Sequence, residues 1–279
     1  MTWPHRGPDV RDQWTTVRGR VVHSLTIGGT EGTGETSSAG GPLVVVVPGL
    51  GLPSYTLPTA RALAARGLDC VVLDLPGFGS SQPRPTRPNI HAAGLMAARW
   101  VEAEASGRPV VVVGHSTGAQ AALTAGLALS AHRRGLAVVL AGPTFAPEQR
   151  RLHRLARATP FAYRHDPPSE LNPAELYRGR TGVVAMLHSG LRDAPEKRIA
   201  HLPVPVTLTA GAHDSFAPVE WLDLLARSAR SAPRVRTSLL DGSHNNLFTH
   251  PEQVGALVAL AAEDAACGDD DPRSSTSGG

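Results

Sequence analysis

The sequence predicts an α/β fold, a mostly parallel central sheet with helices packed on both faces. Three observations carry it. Short β-branched runs recur along the 279 residues, and longer stretches with helical periodicity separate them. Most of the runs are solidly apolar rather than alternating, as strands covered on both sides require.

Val17–Thr26 comes first; it alternates and is expected to form an antiparallel edge. The polar, glycine-rich stretch Gly28–Gly41 (GGTEGTGETSSAGG) is read as a flexible hairpin connection. Strands are expected at Leu43–Val47 (LVVVV), Cys70–Leu73, Val110–Val113, Ala137–Leu140, Val204–Ala210 and Val235–Leu240. Between them the helical patterns are Ser54–Arg66, Asn89–Ala105, Thr117–Ala131, Val219–Arg230 and Glu252–Asp264. One interval, from Leu140 to Val204, breaks the rhythm with helical pieces and many prolines. Because the crevice of an open parallel sheet lies beyond the strands' carboxyl ends, an insertion leaving from such an end sits above it. Residues 143–201 are therefore expected to form a helical lid on a core built from 15–142 and 202–264. Composition marks 265–279 as a disordered tail.

Composition narrows the function. Lysine and arginine total 27 against 24 acids, a net charge of +3, with no basic block interleaved with aromatics. A nucleic-acid partner is not expected. No run of about twenty apolar residues suggests a membrane span, and the amino-terminal stretch lacks the pattern of a secretion signal, so a cytoplasmic location is expected. Cys70 lies in an apolar strand pattern and Cys267 in a polar tail. They suggest neither a bridge nor, without a Cys/His cluster, a metal site, and no cofactor is implied.

The chemistry starts at Val110–Gln120, VVVVGHSTGAQ, where four valines run into Gly-His-Ser-Thr-Gly ahead of a helical pattern. A sharp strand-to-helix turn lifts the Ser116 hydroxyl above the sheet edge, and side chains at Gly114 and Gly118 would collide with the neighbouring strand or helix. The Thr117 N–H, at the helix start, then faces the space where an oxyanion forms.

Four features in order make the chain resemble the α/β-hydrolase superfamily, over roughly residues 15–264. They are VVVVPGLG at the first long strand, DLPGFGSS (Asp74–Ser81) after the next, GHSTG, and a later acid and histidine. The resemblance implies an α/β-hydrolase fold and a Ser-His-Asp set in the chain order serine, acid, histidine. His244, after the last strand in DGSHNNLFTHPEQV, is the expected general base. His250 more plausibly flanks the closing helix, and His115 turns away from the hydroxyl. His23, His91, His132, His153, His165, His188 and His201 are read as surface or lid residues. Asp214, just after the penultimate strand, stands where the superfamily commonly keeps its acid. Asp241 is the rival because it is three residues from His244, although it more plausibly shapes the Asp-Gly turn that presents the histidine. Asp74 resembles a structural position whose carboxylate satisfies its own loop. By the same resemblance Leu50 supplies the second oxyanion amide. Pro48 stands where many members carry a histidine, and so removes a side chain that often stabilises that loop.

In the insertion, ten arginines and lysines face six acids. Arg150, Arg151, Arg154 and Arg157 could attract an anionic substrate, but charge runs usually face water. Val183, Met186, Leu187 and Leu191 share a helical face that packs on the core or lines an acyl pocket. Leu52, Tyr55, Met186, Leu187 and Phe216 are the expected pocket residues. The expected reaction is hydrolysis of a small-molecule carboxylic ester, thioester or amide through an acyl-enzyme. A carbon–carbon hydrolase, a perhydrolase, a lyase or a receptor of this fold stays open. Epoxide hydrolases and haloalkane dehalogenases, which use aspartate at the turn, are disfavoured by Ser116.

Overall fold

The computed structural model describes residues 9–28, 41–80, 83–105, 107–167 and 172–268. Its amino-terminal part is a hairpin. Strand β1 (Val10–Val17) pairs antiparallel with β2 (Arg20–Ile27) through Arg18 and Gly19, whose φ angles are 48° and 75°. Two consecutive positive φ values give a turn whose twist matches that of the strands it joins. Val17–Thr26, expected as one strand, is therefore divided. An arginine at the first turn position conceals a signal that asparagine or aspartate would have displayed.

Six further strands complete one sheet. They are β3 (Leu43–Val47), β4 (Asp69–Leu73), β5 (Val110–His115), β6 (Leu136–Ala141), β7 (Val206–Gly211) and β8 (Val235–Leu240). The spatial order is β1-β2-β4-β3-β5-β6-β7-β8. The pairs from β4 to β8 are all parallel, and β2 joins β4 antiparallel. Every residue of β3, β5, β6 and β7 is buried, which explains their unbroken apolar runs. β8, at the edge, is largely open to solvent, and Arg236 and Thr237 stand within it.

The helices are α1 (Leu57–Ala65), α2 (Ile90–Glu104), α3 (Thr117–Leu129), α4 (Leu152–Ala162), α5 (Pro173–Gly179), α6 (Thr181–Arg192), α7 (Pro195–Arg198), α8 (Val219–Ser228), α9 (Asn246–Thr249) and α10 (Pro251–Cys267). Asn89 starts α2 by accepting the Ala92 N–H on its side-chain oxygen, satisfying a donor the helix leaves orphaned. α1 packs against α10, and α2 against α3. α4 to α7 occupy the interval between β6 and β7. Arg150 there forms a two-pronged pair with Glu196, while Arg151, Arg154 and Arg157 face solvent.

α10 runs to Cys267, so residues 265–267, expected in the tail, complete a helix. Residues 269–279, and residues 29–40 of the glycine-rich loop, lie outside the described residues. Both cysteines are free thiols. His23 departs from its surface reading. It is buried, its two ring nitrogens facing Asp12 at 2.7 Å and Asp74 at 3.0 Å. Asp74 also accepts the Gly79 N–H, so its carboxylate organises its own loop.

Parallel pairing has one consequence for function. The segments after β3, β5, β6, β7 and β8 all leave the same edge of the sheet, and they carry every residue singled out for chemistry.

Candidate active site

Ser116 sits between β5 and α3 with φ 56° and ψ −126°, a conformation that an L-residue holds only when its surroundings enforce it. The enforcement is visible. Its N–H donates to the Ala141 carbonyl and its own carbonyl accepts the Ala119 N–H. A Cβ on Gly114 would lie 2.3 Å from the Gly118 carbonyl oxygen, and one on Gly118 would lie 2.2 Å from that of Val47. Both glycines are there because strand, turn and helix leave no room for a methyl group.

The Ser116 hydroxyl lies 3.0 Å from Nε2 of His244, whose Nδ1 is 2.8 Å from Oδ2 of Asp214. The other carboxylate oxygen accepts the N–H groups of Phe216 at 2.8 Å and Ala217 at 3.1 Å. A carboxylate so engaged only accepts, so Nδ1 carries the proton and Nε2 presents its lone pair to the serine. Asp214 and His244 are both buried. Gly142, at the end of β6, has φ 49°, and a Cβ there would come within 3.3 Å of both the Asp214 carboxylate and the His244 ring. The glycine leaves that space to the pair. Asp241, the rival acid, is exposed and accepts from Gln253. His250 bonds the Thr249 hydroxyl and precedes α10.

Two backbone amides belong to segments that meet at the Ser116 turn. The Thr117 N–H opens α3 and has no acceptor within the helix. Leu50, in the loop after β3, has φ 53° and donates its N–H to the Thr117 hydroxyl at 2.7 Å. The sequence pointed to the Thr117 backbone, but not to this role of its side chain.

The expected pocket residues divide. Phe216 stands edge-on to the His244 ring at 5.0 Å, and Tyr163 does so at 5.6 Å. Phe216 belongs to a small apolar cluster with Phe145, Leu155, Ala162 and Leu191, on which Leu187 packs. Leu52 and Met186 instead pack into the main core. Tyr55 is also buried, and its hydroxyl is 2.6 Å from the Gly49 nitrogen and 2.8 Å from Nδ1 of His115.

Sequence reasoning missed how α4 and the turn after it hold the histidine. The His244 N–H donates to the Ala162 carbonyl at 2.8 Å, and the Asn245 N–H donates to Asp166 at 3.1 Å. Nδ1 of His165 is 3.1 Å from the Ser243 hydroxyl, and the Ser215 hydroxyl donates to the Ala158 carbonyl. Burial raises the Asp166 pKa above the ordinary carboxylate value, although the Asn245 N–H pulls it the other way. No residue pattern in this proline-interrupted stretch announces these contacts.

Residues 44–257 match the model of an alpha/beta hydrolase family, and the chain belongs to that family. A 184-residue stretch, 64% of the chain, is 33% identical to the spectinabilin polyketide synthase system protein NorC of Streptomyces orinoci, of whose length the chain spans 8%. Among solved structures, the enol-lactonase from Burkholderia xenovorans LB400 superposes with a TM-score of 0.67 at 18% identity, over 90% of this chain and all of that one. The thioesterase domain from the curacin biosynthetic pathway does so with 0.61 at 16% identity, over 90% and 99%. Both share the fold. Among the described residues no helix is long and apolar enough to cross a membrane.

Proposed function

We propose that the protein is a serine hydrolase that cleaves a carboxylic ester or thioester through an acyl-enzyme. The observation that carries this reading is the continuous hydrogen-bonded line from Asp214 through His244 to the Ser116 hydroxyl. A serine hydroxyl is a weak nucleophile until a base takes its proton, and the base works only in the tautomer that the carboxylate enforces.

Ser116 Oγ attacks the acyl carbon as its proton passes to Nε2 of His244. The electron pair of the C=O bond moves onto oxygen, and the amides of Thr117 and Leu50 stabilise that charge. Before substrate arrives, the Thr117 hydroxyl holds the Leu50 N–H. Collapse of the intermediate expels the alcohol or thiol, which takes the proton from His244. Water then attacks the acyl-enzyme, giving its proton to the same nitrogen. The acid departs, and the proton returns to Ser116. Residues 143–201 act as a lid, and the apolar cluster that its Phe145 and Leu187 form with Phe216 of the core receives the acyl chain.

Thioesters are included because the relative NorC is named for a polyketide synthase system and the curacin domain is a thioesterase. The test is a panel of nitrophenyl esters and N-acetylcysteamine thioesters of increasing chain length, assayed with wild type and Ser116→Ala. The reading expects turnover on at least one series and a loss of about 10⁴-fold or more in the variant. Equal turnover by both proteins would overturn it.

A further inference from the structure

The loop carrying the Leu50 amide lacks the histidine that many family members place before its glycine, since Pro48 stands there and brings neither an N–H nor a polar side chain. Yet the loop holds a strained geometry. Leu50 is in the left-handed region, and a Cβ on Gly49 would lie 2.9 Å from both the Ser116 Cβ and the Tyr55 hydroxyl oxygen. Something other than a position-48 side chain must hold it.

The hydrogen bonds identify what does. His115 Nε2 lies 2.9 Å from the His244 carbonyl oxygen, which can only accept, so Nε2 carries the proton. Nδ1 is then the acceptor, and the Tyr55 hydroxyl donates to it across 2.8 Å. That donation leaves the tyrosine oxygen's lone pairs for the Gly49 N–H at 2.6 Å. The directions are mutually consistent, and Gly49, Tyr55, His115 and His244 are all buried. Burial also depresses the His115 pKa to about 3, so the ring stays neutral through the working range and keeps this one pattern.

We infer that Tyr55 and His115 are positioning residues, a buried brace that fixes the Gly49–Leu50 amide loop relative to the Ser116 turn and the His244 loop. The brace rests on the proposed role of Ser116. Its geometry reaches all three segments that carry reacting groups, because His115 is itself the residue before the nucleophile and its far nitrogen holds the backbone of the base. No part of it touches substrate. Its effect passes through the Leu50 amide, whose misalignment weakens the grip on the oxyanion more than the grip on bound substrate.

The test compares Tyr55→Phe and His115→Gln with wild type on the best nitrophenyl ester. Alongside kcat and KM it measures Ki for an alkyl trifluoromethyl ketone, whose adduct with the serine places an oxyanion against the amides, and Tm. For Tyr55→Phe the brace predicts a loss of about tenfold or more in kcat, with KM within about twofold. The ketone Ki should rise by the same factor as kcat/KM falls. If Tyr55→Phe does not fold, His115→Gln, whose NH₂ placed at the Nε2 position keeps a donor toward the His244 carbonyl but leaves no acceptor at the Nδ1 position, carries the same prediction. The double variant should lose little more than either single, because both break one chain. A lowered Tm with unchanged kcat and ketone Ki would overturn the brace while leaving the serine mechanism intact. Undiminished activity in Ser116→Ala would overturn both.

Discussion

Replacing Asp214 by asparagine turns one carboxylate oxygen into an NH₂ group, and the surrounding hydrogen bonds dictate where that group must point. In the wild type Oδ2 lies 2.8 Å from Nδ1 of His244, while Oδ1 accepts two backbone N–H groups, from Phe216 and Ala217. In the variant the amide oxygen keeps the two backbone donors, because an NH₂ group cannot replace it there. The NH₂ must then face Nδ1, which becomes an acceptor, and the ring proton moves to Nε2. Nε2 now points an N–H at the Ser116 hydroxyl and cannot take its proton. The carboxylate and the imidazole are both buried, so solvent offers no easy substitute. The expected loss is about 10⁴-fold in kcat, equivalent to about 5 kcal/mol of barrier. Steady-state hydrolysis of a nitrophenyl ester, normalised to folded protein by circular dichroism, measures it. Asp241→Asn serves as the control, because Asp241 is exposed and accepts from Gln253, and it should stay within about twofold of wild type. Retention of Asp214→Asn activity within about tenfold would refute the tautomer argument. A crippled Asp241→Asn would move the acid role there.

Three further outcomes are expected. Gly118→Ala drives a methyl group to within 2.2 Å of the Val47 carbonyl and should cost about 3 kcal/mol in urea unfolding or prevent folding outright; a midpoint equal to wild type would show that the elbow has slack. His23→Ala strips the buried Asp74 carboxylate of its imidazole and should destabilise by about 3 kcal/mol without changing kcat per folded molecule; unaltered stability would mean the trio contributes nothing net. Asp166, whose pKa in the folded chain is raised by burial above the ordinary carboxylate value of 3.8, favours the protonated form when folded. The stability of wild type relative to Asp166→Asn should therefore fall as pH rises from 3.8 through that raised value. Thermal melts across this range read it, and parallel profiles for the two proteins would contradict the burial effect.

Much of the fold was legible because burial on both faces writes itself as unbroken valine runs, and because Gly114 and Gly118 mark a crowded turn. Ser116, His244 and Asp214 could be nominated from their places at strand ends together with the order of serine, acid and histidine that the family resemblance implies. The hairpin was not legible: Arg18 in the left-handed region gives no residue-type signal. Nor were the contacts of α4, where Ala162 acts through its carbonyl and any residue could supply that atom. Tyr55 and His115 read as a pocket wall and a bystander because their function depends on long-range bonds, between positions 55 and 115 and between 115 and 244, that no local pattern encodes. Met186 obeyed its periodicity, but periodicity assigns a face and not what covers it.

In the proposed mechanism the Ser116 oxygen bonds covalently to the substrate's acyl carbon, with His244 as its base. A fluorophosphonate, which phosphonylates an activated serine and expels fluoride, tests this by intact-mass measurement and peptide mapping. One adduct per chain on the peptide containing Ser116, absent from Ser116→Ala and strongly slowed in His244→Ala, is the predicted result. An adduct on a different residue, or labelling as fast without His244 as with it, would contradict the mechanism.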